Sequence, residues 1–158
     1  MELCDGTLAD YCKGTYQGIM PGEMEAIKQM LEGLAYIHSQ KYVHRDIKPN
    51  NILITQSAGL KIADFGFCKP VQHIESFSMS VAGIGTTGWM APELLKSWVE
   101  VENGRKAAPT ATAAIDVFSL GCVIYFFITK GVHPFGIAPL RNRNILQGRY
   151  EISSKYIH

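Results

Sequence analysis

No C-x-x-C pair occurs in this chain, and its four cysteines, Cys4, Cys12, Cys68 and Cys122, are scattered. That spacing excludes a zinc knuckle and a disulfide framework, and it fits a reducing compartment. An excess of one charge is also missing. Fifteen Lys and Arg against 14 Asp and Glu give a net charge of +1, so nothing draws the chain in general towards nucleic acid or an anionic membrane. The opening Met1-Glu2-Leu3-Cys4-Asp5 is neither basic nor followed by an apolar core, so it does not read as a secretory signal. Long apolar runs are lacking too. Val117–Thr129 carries no charge, but its 13 residues fall short of the ~20 that a spanning helix requires. Asp116 stands at its start and Lys130-Gly131 closes it, as expected of a buried core helix. Repeats and low-complexity tracts are absent, and 47% of the residues are hydrophobic, which marks a globular chain. Its 158 residues suggest one domain, large enough to bury roughly two-thirds of its unfolded surface.

What the chain does contain is concentrated in Tyr42–Ile54, Y-V-H-R-D-I-K-P-N-N-I-L-I. A His-Arg-Asp triplet is followed by a Lys two residues after the Asp and an Asn five residues after it. Further on come K-I-A-D-F-G at Lys61–Gly66 and M-A-P-E at Met90–Glu93. In order and spacing these resemble the protein-kinase signature H-R-D-x-x-x-x-N, D-F-G, A-P-E. About ten specified positions at roughly 5% each put a chance match on the order of 10⁻¹³ per placement, so coincidence is dismissed.

The resemblance implies a phosphoryl-transfer site, in which the protein positions groups and neutralises charge. Asp46 would accept the proton of the substrate hydroxyl. Asn51 and Asp64 would each hold Mg²⁺, both lying beside short strands so that their side chains can converge on the phosphates of ATP. Lys48 would reach the γ-phosphate as a point charge, and in the kinase family a Lys at that place goes with serine/threonine specificity. Arg45 is assigned a supporting role, pairing with a phosphorylated loop rather than with substrate.

Elsewhere the pattern predicts a linker at Glu2–Tyr11 feeding a short helix, with Thr7 and Asp10 in a capping-box-like arrangement. After Pro21-Gly22 a helix is predicted from about Glu23, with Met24, Ile27, Leu31, Leu34 and His38 on its core face. Ile52–Ile54 and Leu60–Ala63 read as two strands joined through Ser57-Ala58-Gly59. Ser76–Gly88 reads as loop, Ala91–Lys96 as a helical turn and Trp98–Thr112 as a polar, irregular insertion. Ile115–Thr129 and Leu140–Gln147 read as helices.

Two apparent motifs fail their context. Gly83-Ile84-Gly85-Thr86-Thr87-Gly88 spells G-x-G-x-x-G but follows no strand and opens no helix, so it is not a dinucleotide site. It also lies downstream of the catalytic loop, where no phosphate-covering loop belongs. Ala26-Ile27-Lys28 resembles V-A-I-K, yet it sits in a helical pattern, which makes Lys28 a solvated helix residue.

Beyond the general signature, the chain resembles the inositol-requiring serine/threonine kinase/endoribonuclease family of the unfolded protein response. The likeness rests on Glu2-Leu3-Cys4, Thr7-Leu8, Tyr11, Ser76-Phe77-Ser78, Gly85-Thr86 and Gly88-Trp89. It continues through Asp116–Ser119, Gly121–Val123, Gly131, His133–Gly136 and Asn144–Leu146. It implies an α+β fold: a kinase C-lobe, mainly α-helical, with a short β-hairpin carrying the catalytic and metal loops. Residues 1–158 would be the hinge and C-lobe only, with residues 64–93 as the activation segment. Glu2 and Cys4 would meet adenine through their backbone, and Leu53 would floor its pocket. Asp116 would anchor the catalytic loop, the plain alternative being a helix cap. Glu93 would pair with an Arg, Arg141 and Arg143 being the candidates. Ser76, Ser78 and Ser80 would be phosphorylated, although Ser80-Val81 departs from the family's usual serine placement.

The same resemblance implies that the glycine-rich loop, strand lysine and helix glutamate of the N-lobe lie outside this chain, and that the chain alone binds ATP poorly. The lumenal sensor, membrane anchor and ribonuclease domain would lie outside it too. The partners implied are ATP, Mg²⁺ and a protein substrate, itself in trans, within a homodimer at the cytosolic face of the endoplasmic reticulum. Arg141-Asn142-Arg143 reads as a solvated helix face rather than an RNA contact, so this segment is expected to bind no nucleic acid. Two other functions stay open: a nucleotide-sensing dimerisation module with dispensable phosphotransfer, and an unrelated serine/threonine kinase that shares the C-lobe pattern. Intact Asp46, Asn51 and Asp64 favour a working kinase over a scaffold.

Overall fold

The computed structural model describes residues 3–70, 85–105 and 112–152. The opening stretch, expected as linker, is a strand, β1 (Cys4–Thr7), running into α1 (Leu8–Cys12). The reason lies further along the chain. β1 finds an antiparallel partner in β3 (Ile52–Thr55), which also pairs with β4 (Leu60–Ile62) in a three-stranded sheet of order β1-β3-β4. The expected hairpin is therefore the larger part of a sheet, and a third strand satisfies the otherwise open edge of β3. Thr7 caps α1 as its spacing foretold. Its hydroxyl oxygen accepts from the Asp10 amide at 3.2 Å, and the Asp10 carboxylate accepts from the Thr7 amide at 3.0 Å.

Helix α2 (Glu23–Ser39) starts where Pro21-Gly22 releases it. Its buried face is Ala26, Met30, Leu34 and Ile37, whereas Met24 is 75% and Leu31 50% exposed. The predicted face is thus rotated by about one residue, near 100°. Two apolar stripes of helical spacing run side by side here, and the stripe carrying the small Ala26 and flexible Met30 is the one that packs on the sheet and on the central helix. Lys28 is 62% exposed and faces Glu32 at 3.8 Å, a solvated pair.

After α2 the chain forms β2 (Tyr42–Val43), which pairs antiparallel with β5 (Lys69–Pro70). Helix α3 (Pro92–Glu102) runs well past the single turn expected and takes in Trp98–Glu102 of the supposed insertion. Pro92 at its first turn and Glu93 near the positive end of the dipole suit its start. Leu94, Leu95 and Trp98 form one apolar stripe, so the polar residues that suggested irregularity are simply its outer face. It ends at Asn103-Gly104, with Gly104 at φ 73°. Helix α4 (Ala113–Ile128) is the central element: only Ala114, Val117 and Gly121 are exposed, one narrow stripe. Helix α5 (Ala138–Leu146) packs on α3.

One core cluster gathers Leu8, Met30, Ile52, Ile54, Leu120, Val123 and Phe127 between α2, the sheet and α4. A second joins Val43, Met90, Leu94, Leu95, Ile115 and Ile145 between α3, α4 and α5. All four cysteines are free; burial pushes the Cys12 thiol up to about 11 and Cys122 up to about 12, which keeps both unreactive. No helix among the described residues is long and apolar enough to cross a membrane.

Candidate active site

The loop between β2 and β3 is bent sharply, with Arg45 at φ 69° in the left-handed region, where a side chain is held only by its surroundings. Asp116, one turn inside α4, supplies the hold. It is 1% exposed, and its two carboxylate oxygens accept from the His44 amide and the Arg45 amide, each at 2.8 Å. Thr112, and not Asp116, occupies the N-cap of α4. His38, at the end of α2, completes the clamp: its Nε2 lies 2.9 Å from Asp116 Oδ2. Sequence periodicity had placed His38 on the core face and gave no hint of this pairing, because the two residues lie 78 positions apart.

His44 is fully buried and bridges the loop between β2 and β3 and the segment after β4. Its Nε2 lies 3.0 Å from the Ala63 carbonyl, while its Nδ1 accepts from the Asp46 amide at 3.3 Å, which fixes the Nε2–H tautomer. The Phe65 ring meets it edge-on, with centroids 5.1 Å apart.

Asp46 lies at the centre. Its Oδ2 accepts from Lys48 Nζ at 2.7 Å and from Asn51 Nδ2 at 3.1 Å. Its Oδ1 accepts from the Thr86 hydroxyl at 2.7 Å, and that hydroxyl in turn accepts from Lys48 Nζ at 2.7 Å. Thr86 is a member of this constellation that the motif reading quoted only as part of the family likeness. The signal for it was the discounted glycine pattern. Gly85, at φ 78°, brings the turn so close that a Cβ there would lie 2.9 Å from the Arg45 carbonyl oxygen.

The Asn51 amide also donates to the Asp46 carbonyl at 2.9 Å. With its nitrogen thus committed, the amide oxygen is the atom left to ligate. Asp64 sits at φ 64° and is exposed, its carboxylate touched only weakly by the Gly66 amide at 3.4 Å. The Ala63 amide donates to the Asn51 carbonyl at 2.9 Å, which brings the two residues' chains together. An amide oxygen and a carboxylate suit a hard divalent cation such as Mg²⁺.

Leu53 is half-buried on β3, in register with Thr7 and Lys61, and Cys4 opens β1 as an exposed residue of the same sheet. Arg45 is only 9% exposed; its Nε donates to the Phe67 carbonyl at 2.6 Å, and burial pulls its guanidinium below its ordinary value. No carboxylate lies within ion-pair distance of it among the described residues. Glu93 is exposed and likewise without an ion pair among them. Arg141 is engaged elsewhere, its Nε donating to the Gly136 carbonyl at 3.0 Å and its guanidinium lying 5.6 Å from the Trp89 ring centroid. Arg141 thus lies over an aromatic ring, and neither it nor Arg143 forms an ion pair with Glu93 among the described residues. Glu2, Ser76, Ser78 and Ser80 lie outside the described residues.

Comparison with known proteins agrees with this geometry. The chain is 39% identical to a serine/threonine-protein kinase/endoribonuclease of Caenorhabditis elegans over 97% of its own length and 16% of the relative's. It is 41% identical to one of Homo sapiens, over 94% of its length and 16% of the relative's. A serine/threonine-protein kinase of Schizosaccharomyces pombe is 43% identical over 69% of the chain and 22% of that relative. The chain thus spans less than a quarter of the length of these curated relatives. The family model described as protein kinase domain matches residues 1–154, the whole stretch that carries the sheet, the helices and the Asp46 constellation; the chain belongs to the protein kinase family.

Proposed function

We propose that residues 1–158 form the hinge and C-lobe of a serine/threonine protein kinase, with residues 64–93 as its activation segment. The observation that carries this reading is the Asp46 carboxylate, held by Lys48, Asn51 and Thr86 within 2.7–3.1 Å. A carboxylate offers about four acceptor positions. Three are taken, which fixes its orientation, and one is left for a hydroxyl. As the substrate oxygen bonds to the γ-phosphorus and the bond to the ADP oxygen breaks, the hydroxyl proton passes to Asp46. Lys48, anchored between Asp46 and Thr86, presents its ammonium to the γ-phosphate oxygens. Asn51 and Asp64 would hold Mg²⁺, which supplies charge neutralisation on the phosphates. Leu53 and the backbone of Glu2 and Cys4 would seat the adenine of ATP.

The relatives named as kinase/endoribonucleases support a narrower reading. The kinase phosphorylates its own activation segment in trans within a homodimer, at Ser76, Ser78 and Ser80, and thereby switches a linked endoribonuclease in unfolded-protein-response signalling at the cytosolic face of the endoplasmic reticulum. Arg45 supports the phosphate-receptor part, because a buried guanidinium whose hydrogen-bond partner among the described residues is the Phe67 carbonyl favours an anion. The test is incubation of the full-length protein with ATP and Mg²⁺, followed by mass spectrometric mapping. Phosphate at Ser76 or Ser78 is expected. Transfer to tyrosine only, or none at all, would overturn the reading.

A further inference from the structure

Thr86 touches both Asp46 and Lys48, yet the turn that carries it has no regular structure to hold it. The turn is held from three sides instead. Gly85 lies against the Arg45 backbone, as described. The Trp89 carbonyl accepts from the Ser119 hydroxyl of α4 at 2.8 Å. On the third side the Gly88 amide donates to Asn142 Oδ1 of α5 at 2.7 Å. Gly88 is at φ 85°, and a Cβ there would lie 3.1 Å from Arg141 Cδ, so the turn and α5 are in close contact. The Trp89 amide donates back to the Thr86 carbonyl at 3.1 Å, which closes the turn between the α5 contact and the catalytic hydroxyl.

We infer that Asn142 is a positioning residue for phosphoryl transfer, setting through Gly88 the place of the Thr86 hydroxyl beside Asp46 and Lys48. The inference rests on the kinase reading above. The contact with Gly88 uses the acceptor oxygen of Asn142, since the partner is a backbone N–H. That gives a chemical signature. Asp at this position keeps an acceptor and Ala removes it, while general packing of a half-buried side chain would not distinguish the two in this way. The distances connect α5, a helix outside every kinase motif of the sequence, to the reacting carboxylate in three steps.

The experiment compares full-length wild type, Asn142→Ala and Asn142→Asp in two measurements. In steady-state kinetics with a serine peptide, Asn142→Ala lowers kcat roughly two- to tenfold, the range one neutral hydrogen bond supports, with the KM for ATP unchanged. Asn142→Asp restores most of it. In amide hydrogen exchange, Asn142→Ala speeds exchange of the Gly88 amide by a similar factor and leaves the His44 and Arg45 amides, held by Asp116, as in wild type. Unchanged Gly88 exchange in Asn142→Ala, or an Asp variant as impaired as Ala, would overturn the inference. Absence of phosphotransfer in wild type would overturn the kinase reading and with it the catalytic role of Asn142, while the exchange comparison would still decide whether Asn142 holds the turn at Gly88.

Discussion

Residue by residue, the site depends on side chains held by partners far away in the chain. His38 is the clearest case. Its hydrogen bond to a buried carboxylate is charge-assisted, of the kind worth about 1.5–3 kcal/mol. His38→Ala should lower the denaturation midpoint accordingly, while His38→Gln, which keeps a nitrogen donor, should lose less. An equal loss in both would mean that ring packing, not the bond to Asp116, is what matters. His133 gives a pH prediction. It is 3% exposed, packed edge-on against Trp89 at 4.6 Å, and burial, with Arg141 nearby, pulls it down to about 3 from 6.5. A group with a depressed folded value takes up protons first in the unfolded chain. Stability that His133 leaves intact above about 6.5 is therefore lost as pH falls from there towards 3. Thermal melts between about pH 7 and about pH 5 should fall less steeply for His133→Phe than for wild type; identical slopes would show that His133 titrates normally in the fold.

Elements differ in how far their sequence betrays them. α4 was legible because almost every position is apolar, and its burial follows from that alone. Phe127, 1% exposed, should cost about 3–5 kcal/mol when replaced by Ala, against little for the exposed Val117→Ala; comparable losses in chemical denaturation would remove α4 from the centre of the fold. The capping box of α1 was legible for the same local reason, as the four residues Thr7 to Asp10 contain the whole interaction. β1 was not, because nothing in Cys4–Thr7 alone prefers a strand; its pairing with β3 is a long-range choice. The face of α2 was misjudged by one residue because two apolar stripes compete and only the packed sheet and α4 select between them. Asp46, Asn51 and Asp64 could be named from motif spacing. Thr86, His38 and Asn142 could not, since each acts across a gap in the chain that spacing does not encode.

Taken as a whole, the molecule joins three segments around His44 and Asp46: the loop between β2 and β3, the turn at Gly85–Met90 through Thr86, and the segment after β4 through the Ala63 carbonyl. Arg45 is where a phosphorylated activation segment would report to that centre. Arg45→Ala should abolish phosphorylation-dependent activation, as should Ser76→Ala/Ser78→Ala. Full activation in the Arg45 variant would place the phosphate on Lys69 or elsewhere. The central claim is a division of labour, in which Asp46 handles the hydroxyl proton while Asn51 and Asp64 hold metal and nucleotide. Its most direct measurement is phosphotransfer and Mg²⁺-dependent ATP affinity in the full-length protein carrying Asp46→Asn or Asp64→Asn. The account predicts that Asp46→Asn lowers phosphotransfer by roughly 10²–10⁴-fold, the scale of general-base catalysis, with ATP affinity largely intact, and that Asp64→Asn loses the Mg²⁺-dependent part of that affinity. Equal loss of nucleotide affinity in both variants, or retained phosphotransfer in Asp46→Asn, would contradict it.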